Sequence, residues 1–291
     1  MATDGTGTRA VVITGASTGI GEACALRMDK MGWRVFAGVR KEADAERLKN
    51  EGSERLTPVL IDVTDEGSIM KAEETVRAVV GEAGLAGLVN NAGVGIHGPL
   101  EFLPIEDLRR QLEVNTIGQI AVTQVFLPLI RKGRGRIVNI GSIGGKMATP
   151  FLGPYAASKF AMEALTDSLR QELRPWDIHV AIVEPGSIAT PIWDKGQAGA
   201  DEMEQKLPED AMMLYGTAVN AVRTAARQFE SRAVPPDRVA QAVAHALTSR
   251  RPRTRYVVGF DATLQRLIRD VVPDRLRDGL VARQLGLPGK P

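Results

Sequence analysis

The sequence predicts a three-layer α/β fold, a doubly wound parallel sheet of seven strands with helices on both faces. Three observations carry this. Short apolar runs alternate with longer segments of helical spacing along the chain. The short runs are apolar throughout rather than alternating, as strands covered on both faces must be. The first run ends in a glycine-rich turn that opens directly into a helical pattern. With 291 residues the chain suits one large domain better than two small ones.

The elements follow in order. "AVVIT" (10–14) is the first strand, and "IGEACALRMDKMG" (20–32) the first helix. "RVFAG" (34–38) and "TPVLI" (57–61) are the second and third strands. "DEGSIMKAEETVRAVVGEAG" (65–84) is a helix with an acidic start, which suits the positive end of its dipole. "GLVN" (87–90) is a short fourth strand, followed by one long helix over about 105–130. "RIVNI" (136–140) is the fifth strand, and a helix runs from near Tyr155 to about Leu173. "HVAIV" (179–183) and "RYVVG" (255–259) complete the sheet. Residues 191–235 read as irregular, because they mix apolar with charged side chains.

Composition excludes several classes. Lys plus Arg number 37 and Asp plus Glu 35, so the net charge of +2 calls for neither nucleic acid nor an anionic membrane. Cys24 is the one cysteine, so no internal disulfide forms and a reducing, cytoplasmic setting is expected. His97, His179 and His245 are too scattered to hold a metal. No apolar run approaches the ~18 residues of a membrane span, and "MATDGTGTR" has no signal-peptide core.

The turn "TGASTGIG" (14–21) sits where a nucleotide phosphate would meet a helix N-terminus. Gly15, Ser17, Thr18, Gly19, Ile20 and Gly21 are therefore candidate cofactor contacts. Its spacing is G-x-x-x-G-x-G, and a glycine turn alone also serves any tight strand–helix junction. The end of the second strand normally meets the adenosine ribose, where a carboxylate selects the 2′-hydroxyl. Here Arg40 and Lys41 stand instead, which favours a 2′-phosphate over a merely solvated turn. Farther on, Ser142 follows the fifth strand, and Tyr155 and Lys159 lie four apart on one helix face. Asn115 falls mid-helix, a poor place for asparagine.

With these residues in view, the chain resembles the short-chain dehydrogenase/reductase family, whose fold is Rossmann-type. The motifs are "TGASTGIG", "DV" (62–63), "NNAG" (90–93), Asn115 in "EVNTIG", Ser142, "YAASK" (155–159) and "PGSIAT" (185–190), all in order. The resemblance covers about residues 8–260. It departs at Gly141, where many members carry a second serine.

The resemblance implies a catalytic group of Asn115, Ser142, Tyr155 and Lys159. It implies that Asp62 and Val63 flank the adenine, and that Asn91, Ala92 and Gly93 line the cofactor ribose. Pro185, Gly186, Ile188 and Thr190 would border the nicotinamide. Tyr155 would be the general acid/base, its pKa of about 10 lowered by the Lys159 ammonium and an oxidised nicotinamide. Ser142 would donate to the substrate oxygen, Lys159 would also hold the nicotinamide ribose, and Asn115 would hold a relay water. Taken singly, Ser142 reads better as a strand end, Tyr155 as a helix-start aromatic and Lys159 as a solvated lysine; taken together after a nucleotide turn, the group reads as catalytic.

The expected activity is hydride transfer between NADP(H), with NAD(H) admitted, and an apolar alcohol or carbonyl compound. The lid region looks somewhat like the hydroxysteroid and retinol dehydrogenase branch. The alternatives are a non-catalytic dinucleotide sensor, or a relative acting on a small polar carbonyl or a sugar. Residues 1–8 are expected to be a flexible N-terminus, 9–260 one domain with 191–235 as substrate lid, and 261–291 a helical extension. In the lid, Trp193, Met203, Leu207, Met212, Met213, Leu214, Tyr215 and Phe229 line a pocket or pack on the core. The extension's apolar stripe suits packing on the protein or a subunit interface more than a membrane surface. Family helices matching 105–130 and 155–173 imply a homodimer or homotetramer, and His97 reads as a solvated loop histidine.

Overall fold

The computed structural model describes residues 8–193, 201 and 208–287. Residues 1–7 of the expected flexible N-terminus, and Met203 and Leu207 of the expected lid, lie outside the described residues.

Seven strands form one sheet: β1 (Ala10–Ile13), β2 (Arg34–Val39), β3 (Leu56–Leu60), β4 (Gly87–Asn90), β5 (Arg136–Ile140), β6 (His179–Pro185) and β7 (Arg255–Val258). Their order is β3-β2-β1-β4-β5-β6-β7, and every neighbouring pair is parallel. The chain winds outward from β1 to β3, then returns to the centre and winds the other way. The order therefore reverses between β1 and β4, and the crevice at the carboxyl ends of those strands is where such sheets bind ligands.

The helices are α1 (Gly19–Lys30), α2 (Glu42–Glu51), α3 (Glu66–Val80), α4 (Ile105–Leu112), α5 (Gly118–Gly133), α6 (Gly153–Glu172), α7 (Glu209–Ser231), α8 (Pro236–Thr248), α9 (Phe260–Val271) and α10 (Asp274–Leu285). Side chains alternate across β1 and enter two separate cores. Val11 and Ile13 pack with Cys24 and Met28 of α1 and Val243 and Leu247 of α8. Ala10 and Val12 pack with Val76 of α3 and Phe126 and Ile130 of α5. The inner strands β1, β4 and β5 are buried on both faces and are mostly apolar, whereas the edge strands β3 and β7 are only partly buried. Burial also pushes the Cys24 thiol up to about 12, so its nucleophilic thiolate is suppressed.

Three segments differ from the sequence expectation. The long helix over 105–130 is divided: α4 and α5 are joined by a π-helical turn, Glu113–Ile117. Residues 42–51, to which the sequence reading assigns no element, form α2, whose apolar content is too small to announce it. Within 191–235, residues 209–231 form the long helix α7, and the mixed composition there is an amphipathic surface.

The extension forms α9 and α10. Leu285 is buried, but Phe260, Leu264, Leu267 and Val271 make an exposed stripe along α9. That stripe does not cover the protein's own core. The reason lies in orientation, since α9 turns Ala262, Gln265 and Ile268 inward instead. No helix among the described residues is long and apolar enough to cross a membrane.

Candidate active site

At the switch point the strand ends open into a cavity of about 880 Å³. One end is the glycine turn. Gly15 adopts φ +63°, and a Cβ there would lie 2.7 Å from the Ala92 Cα, so only glycine lets β1 turn so close to the loop after β4. Asn91 clasps the turn: its Nδ2 donates to the Thr14 and Gly15 carbonyls at 2.9 and 3.0 Å. The Thr14 hydroxyl accepts from the Asn91 and Ala92 N–H groups at 3.0 and 3.1 Å. Arg47 of α2 adds a brace that the sequence did not announce, donating to the Ser17 carbonyl and to Glu22 and Glu51.

Most of the residues singled out in the sequence line this one cavity. Gly15, Ser17, Thr18, Gly19 and Ile20 do so with Arg40, Asp62, Val63, Asn91, Ala92 and Gly93. Asn115, Ser142, Tyr155, Lys159, Pro185, Gly186, Ile188 and Thr190 line it as well. Gly21 and Lys41 are not among the lining residues. A Cβ on Gly21 would sit 2.2 Å from the Gly15 carbonyl oxygen, so that glycine packs the turn itself. Lys41 is the exposed N-cap of α2. Arg40 stands beside Asp62, whose carboxyl is held below its ordinary range, chiefly by the Thr64 backbone N–H and also by the Thr64 hydroxyl and the Arg40 charge.

At the other end, Ser142 follows β5 and accepts from the Gly144 N–H at 3.0 Å. Tyr155 and Lys159 come from one face of α6. Burial pushes the Tyr155 phenol above its ordinary value, and a hydrogen bond with Ser142 opposes this. The expected lowering joins the lysine charge to that of an oxidised nicotinamide, and with the protein's own groups alone burial sets the direction. The Lys159 Nζ donates to the Ile140 carbonyl at 2.8 Å and lies 5.8 Å from the Tyr155 ring centroid.

Burial pulls the Lys159 ammonium down to about 8. A lysine lowered on folding binds fewer protons folded than unfolded between about 8 and 10.5, so it makes stability rise with pH across that window. Lys159→Met removes this contribution. The variant is expected to gain on the wild type at pH 7, and the gain should shrink by on the order of 1–3 kcal/mol towards pH 10. Denaturant unfolding of both proteins at the two pH values checks this, and a difference that does not change with pH contradicts it.

Asn115 is fully buried in the π turn. Its Oδ1 accepts from the Val94 N–H at 2.8 Å, and its Nδ2 donates to the Val94 carbonyl at 2.9 Å and to the Ser158 hydroxyl at 3.2 Å. The side chain therefore ties the loop after β4 to α6. A π turn takes one peptide group out of the α ladder, which explains how asparagine sits mid-helix without competing with it.

The outer wall is mostly apolar. Met147, Phe151, Leu152, Trp193, Met212 and Phe229 contribute to it. His97, expected as a solvated loop histidine near the pocket mouth, is half-buried in the loop after β4 and lines the cavity. Tyr215 of α7 fastens the wall: its hydroxyl donates to Glu101 Oε2 at 2.7 Å, and its ring packs edge-on against Phe102 and Phe151. The extension supplies residues that the motifs did not reach, Asp261, Val281 and Leu285 among them. The signal for Val281 and Leu285 was their helical spacing, which carries no direction without a third dimension.

The comparisons agree with this geometry. The family described as short chain dehydrogenase matches residues 9–201. Mouse "Retinol dehydrogenase 5" is 39% identical, over 96% of this chain and 90% of its own. Bovine "17-beta-hydroxysteroid dehydrogenase type 6" is 40% identical with the same coverage. "NADPH-dependent 3-dehydrocapnine reductase" of Ornithobacterium rhinotracheale is 35% identical, over 95% and 97%. Among solved structures, a short chain dehydrogenase from Burkholderia cenocepacia in complex with NADP superposes with a TM-score of 0.69 at 26% identity, covering 97% of this chain and 98% of that one. The chain belongs to the short-chain dehydrogenase/reductase family, in its retinol and hydroxysteroid dehydrogenase branch.

Proposed function

We propose that this oxidoreductase transfers hydride between NADP(H) and an apolar secondary alcohol, ketone or aldehyde of steroid-, retinoid- or lipid-like character. One observation carries the reading: Ser142, Tyr155 and Lys159 share a cavity with the glycine turn at one end and an apolar wall at the other.

The residues fit a dinucleotide. Gly15 lets β1 turn tightly against the loop after β4, and the N-terminus of α1 offers backbone N–H groups to a pyrophosphate. Arg40 and Asp62 meet where an adenosine would lie. Bound there, a nicotinamide supplies or accepts the hydride. Tyr155 gives its hydroxyl proton to a carbonyl oxygen during reduction and takes the proton of an alcohol during oxidation. Ser142 donates to the same oxygen as negative charge grows on it. Lys159 supports the phenolate electrostatically once a positive nicotinamide adds to its charge, and it would hold the ribose of a bound cofactor. Asn115 keeps the loop after β4 and α6 in register, and its π turn provides the backbone for a relay water.

The substrate class rests on the apolar wall and on the relatives named for retinol and a hydroxysteroid. The NADPH-dependent reductase and the NADP complex favour NADP(H). A panel of retinoids, steroids, long aliphatic aldehydes, quinones and small polar carbonyls, read by nicotinamide absorbance, tests it. Turnover is expected with one of the apolar classes; turnover confined to small polar carbonyls or sugars contradicts it.

A further inference from the structure

The loop 185–190 borders the cavity where Tyr155 and Ser142 face it, yet its backbone is held from outside the motif set. Asp261 lies in the first turn of α9, beyond the residues matched by the family and beyond the motifs read in the sequence. Its Oδ2 accepts from the Ser187 N–H at 2.7 Å. Two glycines make way for that carboxylate. A Cβ on Gly186 would sit 2.3 Å from the Asp261 Oδ1, and a Cβ on Gly259 would sit 2.5 Å from it. Any larger residue at either place would push the carboxylate off Ser187.

The loop is tied on its other edges as well. The Gly186 N–H donates to the Val258 carbonyl at 2.9 Å, and the Ser187 carbonyl accepts from the Val234 N–H at 3.0 Å. Among the hydrogen bonds of the described residues, the bond from the Ser187 N–H goes to Asp261, so this side chain fixes the peptide between Gly186 and Ser187. Asp261 itself lines the cavity.

We propose that Asp261 is a positioning residue for the nicotinamide end of the cofactor, setting the 185–190 loop through the Ser187 N–H, so that the C-terminal extension takes part in the hydride site. This rests on the cofactor placement given under Proposed function. Asp261 belongs to the extension, so the extension both lines the cavity through Val281 and Leu285 and sets the loop that would border the nicotinamide.

The test separates the two ends of the cofactor. Dissociation constants are measured by isothermal titration for NADP+, for NAD+, and for 2′,5′-ADP and ADP, which occupy the adenosine end alone. In Asp261→Ala, affinity for both dinucleotides is expected to fall roughly tenfold, the scale of a lost charge-assisted hydrogen bond. Affinity for the adenosine fragments should stay within about twofold, because nothing at Arg40 or Asp62 changes. Asp261→Asn retains an acceptor oxygen and is expected to recover dinucleotide affinity to within about threefold of wild type. Wild-type dinucleotide affinity in the alanine variant overturns the proposal, as does parallel loss of fragments and dinucleotides, or an asparagine variant as weak as alanine.

Amide exchange adds a readout that needs no variant to fold. In the cofactor-free wild type the Ser187 amide should be protected although it lies in a loop, and free exchange there contradicts the proposal. Failure of the cofactor placement looks different: wild-type protein would then bind neither dinucleotide.

Discussion

Tyr155→Phe is expected to lower turnover at least ~100-fold, the low end of what a general acid/base contributes, while folding and cofactor affinity stay near wild type. The substitution removes one hydroxyl and keeps the ring. The ring packs at the start of α6, and a Cβ on Gly144 would come within 3.3 Å of it, so the space it fills is defined. The direction of its titration sharpens the expectation. Burial raises the phenol in the free protein, so at neutral pH the group is protonated and ready to give its proton to a carbonyl. Oxidation requires the phenolate, which burial disfavours and only a positive charge nearby restores. In the wild type, alcohol oxidation should therefore rise more steeply with pH than carbonyl reduction falls. Steady-state rates in both directions for wild type and variant check this. Near-normal turnover in the phenylalanine variant would remove Tyr155 from the mechanism.

The second large effect concerns Arg40. NADP(H) is expected to be preferred in the wild type, and Arg40→Asp should reverse the preference towards NAD(H). A guanidinium binds a 2′-phosphate through paired charge-assisted hydrogen bonds, together worth roughly tenfold or more in affinity. The aspartate instead accepts the ribose 2′-hydroxyl and repels the phosphate. Asp62 beside Arg40 adds to the reversal, since two carboxylates would then face the phosphate. Lys41, exposed at the N-cap of α2, offers little replacement. Arg47 stands at the glycine turn but is engaged by Glu22, Glu51 and the Ser17 carbonyl. The expected preference for NADP(H) thus rests mainly on Arg40. Values of kcat/KM for both cofactors in both proteins decide it: a wild-type preference for NAD(H), or no change in the variant, is the contrary outcome.

The parts of the molecule legible in the sequence are those where local chemistry and global fold agree. Strands buried on both faces must be apolar, so β1 to β7 stood out within a residue or two at most ends. The glycine turn and the Tyr155–Lys159 pair are local patterns, and the cavity brings them together. What escaped was set by contacts distant in sequence. The charged helix α2 earns its place by packing Leu48 and bracing the turn with Arg47, neither of which a hydrophobic period reports. The π turn at Asn115 depends on bonds to Val94 and Ser158, on either side of it in the chain. Asp261 shows the same limit, because its partner Ser187 lies 74 residues away. His97 is half-buried and among the cavity's lining residues, while Lys41 is exposed and is not among them, placements that position along the chain alone does not resolve.

The most direct test of hydride transfer at Tyr155 is to follow the hydrogen itself. NADPH deuterated at the nicotinamide C4, on each face in turn, is supplied with the best apolar ketone or aldehyde of the panel, and the alcohol product is analysed by mass spectrometry. With the wild type, one face is expected to deliver one deuterium to the carbinol carbon and the other none, while Tyr155→Phe forms the same labelled product at least ~100-fold more slowly. Product free of deuterium from both faces, or labelled product formed at the wild-type rate by the phenylalanine variant, would contradict it.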